Sequence, residues 1–103
     1  MEEIRDRCRC ALSYSALDDS LRSLREKISK GEIIPSEVWF KVIRDNISRV
    51  EKYCLVTLPE VWNDVKDAEE DLKRGNLQSA LASVEAARTG LAIKFLKCEM
   101  SKT

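Results

Sequence analysis

Apolar side chains recur at steps of three and four along four stretches of this chain, and that spacing sets what the chain can become. The first stretch carries Cys10, Tyr14, Leu17, Leu21, Leu24 and Ile28, and the second Trp39, Ile43, Ile47, Val50 and Cys54. The third carries Leu58, Val61, Trp62, Val65, Ala68 and Leu72, and the fourth Leu77, Leu81, Val84, Leu91, Phe95 and Cys98. A period near 3.6 lays each set along one side of an α-helix, and no stretch alternates for long as a half-buried strand does. Acids placed four residues before bases, as in Glu26/Lys30, Glu37/Lys41, Asp45/Arg49 and Glu69/Lys73, support the same reading.

Punctuation falls between the stripes. The chain has only three glycines and two prolines. One segment ends at Lys30-Gly31, and another begins after Ile34-Pro35-Ser36. Thr57-Leu58-Pro59-Glu60 has the pattern of a capping box with proline in the first turn. Lys73-Arg74-Gly75-Asn76 reads as a helix end followed by an N-cap asparagine. A chain of 103 residues supports one core, so residues 1–103 are expected to form a single helical domain. Short connections make neighbours antiparallel, and the expected fold is all-α: an antiparallel up-down-up-down four-helix bundle. Asp18-Asp19-Ser20 is the weak point, where a new cap would split the first helix in two.

Several function classes are excluded or disfavoured. The chain has no histidine, which removes imidazole as base, nucleophile or metal ligand. It has no glycine-rich phosphate loop and no Gly-x-Ser-x-Gly, so no enzyme and no cofactor are expected. Eighteen basic residues balance eighteen acidic ones, giving no long-range attraction to nucleic acid or anionic membrane. No apolar run approaches the ~20 residues of a membrane span, and the charged start is unlike a signal peptide, so a cytoplasmic protein is expected. The scarcity of Gln and Asn beside abundant Glu, Lys, Arg and Ile fits a thermophile. A heat-adapted, archaeal source would allow intracellular disulfides.

Cys8, Cys10, Cys54 and Cys98 deserve a geometric test. On one helix Cys8 and Cys10 point about 200° apart and cannot share a metal ion. At 1.5 Å per residue, all four fall within about one turn of the same level near one end of a bundle. That level suits one or two disulfides, with Cys10–Cys54 the better-placed pair and Cys8–Cys98 the second. Buried free thiols, packing as small hydrophobes, and a Cys-only metal site are the alternatives.

The third stretch is acidic, with six acids against three bases between Leu58 and Asn76. Asp64, Asp67 and Asp71 share a face, which is read as solvated helix surface and not as a metal site. Basic residues form no continuous phosphate track. Arg22 and Arg25 on the first helix with Lys41 and Arg44 on the second would make a local stripe, and nucleic-acid association through them is the alternative function.

Two helices are apolar beyond one stripe. Val38-Trp39-Phe40 with Val42-Ile43 covers more of the second helix than one contact buries. The fourth has a second line through Ala82, Ala86, Thr89, Ile93, Leu96 and Met100. Trp39, Phe40, Ile93, Leu96 and Met100 are therefore the expected partner-binding residues, for a homodimer or for a larger protein complex. Ala80, Ala82, Ala86, Ala87 and Gly90 point to a close helix–helix contact, which gives a reason for a glycine costing about 1 kcal/mol within a helix.

Ala68…Gly75-Asn76…Ala80…Ala87 resembles the small-residue spacing of a single tetratricopeptide-type helical hairpin. The same stretch is similar to small archaeal helical-hairpin proteins of unknown function. Asp71 and Val84 stand where that family has aromatics, no proline closes the unit, and one hairpin cannot build a solenoid. The resemblance covers the last third of the chain and implies interaction, not catalysis. The expected function is a small protein–protein interaction or accessory subunit docking through apolar helix surface.

Overall fold

A computed structural model describes residues 2–32 and 35–101, and the side chains of 9–32 and 35–96. All its regular structure is helical: α1 (Glu2–Ser29), α2 (Ser36–Cys54), α3 (Pro59–Lys73) and α4 (Leu77–Ser101). The bundle measures 47 by 21 by 20 Å. Among the described residues α1 packs on α2 and α4, and α3 packs on α2 and α4, so the helices form a ring.

Contacts across each pair step in opposite directions. Between α1 and α2 they pass from Cys10–Cys54 to Ser20–Asn46 to Lys27–Trp39. Between α1 and α4 they pass from Tyr14–Phe95 to Asp18–Arg88 to Arg25–Glu85.

The core is built by the expected stripes. Leu17, Leu21 and Leu24 of α1 and Ile43, Ile47 and Val50 of α2 are wholly buried. Val61, Val65 and Ala68 of α3 meet Ala80, Val84, Ala87 and Leu91 of α4. The small-residue expectation holds in part: Ala68, Ala80 and Ala87 are 0% exposed, whereas Ala82 and Ala86 face outward. A Cβ at Gly90 would lie 3.9 Å from Val61, an ordinary contact, so close packing does not require glycine there. Leu77, expected in the α4 stripe, is 45% exposed, and the inner line of the first turns is carried by Ala80.

Several local expectations are corrected. The first helix is not split, because α1 runs unbroken through Asp18-Asp19-Ser20. Ser20 donates back to the Leu17 carbonyl, while Asp18 and Asp19 pair with Arg88 and Arg22. Such back-bonding satisfies a hydroxyl without opening the helix. Thr57 does not cap α3 either. The cap position is Leu58, with no cap bond from its side chain, and its N–H is taken by Glu51 Oε2 at 2.8 Å.

Three helices end on left-handed residues. Gly31 (φ 69°) and Gly75 (φ 79°) are ordinary choices, since glycine adopts that region without steric cost. The third is Leu55, with φ 53°. Its own N–H and that of Val56 both reach back to the Glu51 carbonyl, closing α2.

Candidate functional site

Sequence pattern makes α4 apolar on two sides, and the structure covers only one of them. Ala80, Val84, Ala87 and Leu91 face the core. The second line, Ala82, Ala86, Thr89, Ile93 and Leu96, is exposed at every position, with Ile93 at 50% and Leu96 at 58%. The line itself carries no charge; Glu85 and Arg88 flank it and pair with each other, and Lys94 is half-buried. In a chain with 35% charged residues, an outward helix face without one is the feature a solvated surface would not show. Met100 continues the line in sequence, but its side chain lies outside the described residues.

Beside this face runs a groove of about 520 Å³ between α1 and α4. Ala11, Tyr14 and Ser15 line one wall, and Leu91, Ala92 and Phe95 the other. The Tyr14 and Phe95 rings meet edge to face, with centroids 4.7 Å apart. One end is polar: Arg88 donates to both carboxylate oxygens of Asp18, at 3.0 and 3.5 Å. Its guanidinium is held above the ordinary arginine range, chiefly by that hydrogen bond. Glu85 completes the cluster in ion pairs with Arg25 and Arg88. These charges are paired with one another, although Glu85 Oε1 accepts no hydrogen bond, and the rest of the groove wall is mainly apolar.

The other expected site residues are distributed differently. Phe40 is 0% exposed and belongs to the core, so its place among the partner-binding residues is corrected. It lies on the side of α2 that carries Arg44, whose partner Glu69 is on α3, so a second neighbour covers it. Trp39 is half-buried against the core, with the Lys27 ammonium 5.6 Å from its ring centroid. Of the basic set, Arg22 pairs with Asp19, Arg25 with Glu85, and Arg44 with Glu69, while Lys41 is exposed. Each of those arginines thus has an acidic neighbour that weakens its field toward a phosphate.

Cys10 and Cys54 form a disulfide, with Cα atoms 4.9 Å apart. Cys8 and Cys98 have side chains outside the described residues. Among the described residues no group of three or more His, Cys, Asp or Glu is placed to hold a metal ion.

Reasoning from the sequence did not find Leu12 (69% exposed) or Leu55 (90% exposed). A heptad-style reading assigns Leu12 to no stripe, and leucine carries no signal for a left-handed turn. Nor did it find the groove, whose walls come from two helices far apart in sequence. No helix of the described residues is long and apolar enough to cross a membrane. Comparison with family models, curated proteins and solved structures finds no match for this chain.

Proposed function

We propose that this chain is a small, non-catalytic protein–protein interaction or accessory subunit that docks through the outer face of α4, and that it works in the cytoplasm. The scaffold in this reading is an antiparallel up-down-up-down bundle, which agrees with the opposed order of the helix contacts. The observation that carries the proposal is the uncharged exposed line from Ala82 to Leu96, with Ile93 and Leu96 half or more in water. Full burial of such a side chain is worth about 1.5–3 kcal/mol, and about half of that remains to be gained at each of these half-exposed positions. A docking partner recovers that energy. The resemblance of the α3–α4 segment to a tetratricopeptide-type hairpin points the same way.

The partner is a second copy or a larger complex. A photo-crosslinking residue at Leu96, compared with one at exposed Lys66, tests the reading in the native cell. Adducts of defined mass are expected from position 96 and not from 66. Equal labelling at both positions, or none at 96, sinks the reading.

A further inference from the structure

We infer that the partner of this face is a second copy of the chain, packed with its α4 antiparallel to the first and with Thr89 on the two-fold axis. The inference rests on the docking reading above and makes it specific. Three features carry it.

The first is the order of sizes. The exposed line runs Ala82, Ala86, Thr89, Ile93, Leu96, small at one end and large at the other. Its steps of four, three, four and three read nearly the same in both directions about Thr89. A two-fold contact requires a self-complementary surface, in which residue i meets j and j meets i. Reversal about Thr89 places Leu96 over Ala82 of the other copy and Ile93 over its Ala86. Each large side chain then meets a methyl-sized one. A parallel pairing would set Leu96 on Leu96 and leave the alanines facing a gap.

The second is charge. Glu60, Asp64, Asp67 and Asp71 follow at steps of four, three and four and make an acidic ridge along α3. Burial, with the charges of Asp67 and Glu60 added, holds the Asp64 carboxyl above its usual range. Lys94 lies on the α3 side of α4, lining a hollow with Pro59, Glu60 and Ile93. Val61 is level with Gly90, which puts Asp67 level with Val84 when α3 and α4 run antiparallel. Reversal about Thr89 puts Lys94 of the second copy at that same level. Each lysine therefore meets the other copy's acidic ridge near Asp67, and opposed potentials select this orientation.

The third is extent. A stable interface buries about 800 Å² per partner, more than one helix stripe supplies. In this arrangement the α1 rim of the groove (Ala11, Ser15) flanks the stripe on one side and the α3 ridge on the other. The full 20 Å width of the bundle is then engaged. A contact of that size belongs at the weaker end of the stable range, so self-association is expected at micromolar concentrations and above.

The test uses the full chain with the Cys10–Cys54 disulfide intact and Cys8 and Cys98 replaced by serine. Sedimentation equilibrium over a wide concentration range is expected to show monomer and dimer, with Leu96→Glu weakening the dimer roughly tenfold or more. Thr89→Cys is expected to yield a covalent dimer on mild oxidation. Leu96→Cys alone is expected to yield none, while Leu96→Cys mixed with Ala82→Cys cross-links. Circular dichroism confirms that each variant is folded. A covalent dimer through Leu96→Cys alone, or a dimer indifferent to Leu96→Glu, overturns the inference but leaves docking through another geometry or partner. A monomer at every concentration also overturns it, and adducts at position 96 larger than two chains would then identify a larger complex as the partner.

Discussion

The backbone N–H of Leu58 donates to the side chain of Glu51 at 2.8 Å, so a residue from the end of α2 caps the start of α3. The same residue's carbonyl accepts the N–H groups of Leu55 and Val56. Glu51 therefore terminates one helix with its backbone and starts the next with its side chain. Glu51→Ala is expected to cost about 1 kcal/mol, the usual worth of a lost N-cap, while Glu51→Gln keeps most of it. Urea denaturation of both variants checks this, and equal losses would show that the carboxylate's acceptor role is not what matters.

Leu55 is expected to behave unlike the other leucines. It is left-handed and 90% exposed, so it gives the folded state a steric cost and almost no burial. Leu55→Gly should leave stability unchanged or raise it by up to about 1 kcal/mol, since the gain in the turn is offset by a freer unfolded chain. A clear drop in the melting temperature would mean that the exposed side chain has a structural contact after all.

The Cys10–Cys54 bond closes a loop with a sequence separation of 44. By the chain-entropy argument its loss should cost about 4 kcal/mol. The urea midpoints of the reduced protein and of Cys54→Ser should agree with each other and fall well below that of the oxidised protein. A reductant effect that persists in Cys54→Ser would implicate Cys8 and Cys98 instead.

Asp64 supplies a pH dependence. Burial is the main cause of its raised pKa, with repulsion from Asp67 and Glu60 added. The folded state thus holds the proton more tightly than the unfolded chain. This group's contribution is most favourable below the ordinary aspartate range and is lost as pH rises through the raised folded value. Asp64→Asn should therefore stabilise the protein at neutral pH, and the gain should vanish under acid conditions where Asp64 is already protonated. Melting curves in the two regimes check the sign, and a variant less stable at neutral pH would contradict it.

Phe40 and its exposed neighbour should separate cleanly. Phe40→Ala is expected to cost about 3–5 kcal/mol because the side chain is wholly buried. Val38→Ser, at a position 63% exposed, should cost well under 1 kcal/mol. Calorimetric melts of the two variants give the comparison.

The difference between those two positions shows what is legible in a sequence of this kind. Every member of the α1 stripe from Cys10 to Ile28 is buried, because a helix with polar residues on its other side has one way to turn. In α2 the apolar run Val38-Trp39-Phe40 left the choice open. It was decided by α3, a neighbour that periodicity within α2 does not reveal. The α4 outer line was legible as apolar, and its exposure followed from where the other helices stop covering it. Arg88 and Asp18 lie 70 residues apart, so their pairing is set by packing alone, and the local reading of Asp18 as a cap went to the wrong partner. Thr57 lost its cap role in the same way, to a carboxylate from the preceding helix.

The cross-link between α1 and α2 also has a mechanical meaning. It turns the first two helices into a covalently closed ring, whereas α3 and α4 are joined only by their packing and one short turn. Tension applied to the two ends of the oxidised chain bypasses everything between Cys10 and Cys54. Those residues withhold roughly 150 Å of contour length at about 3.4 Å each. The oxidised protein is thus the shorter tether of the two redox forms, with α2 inside the Cys10–Cys54 ring and α3 and α4 outside it.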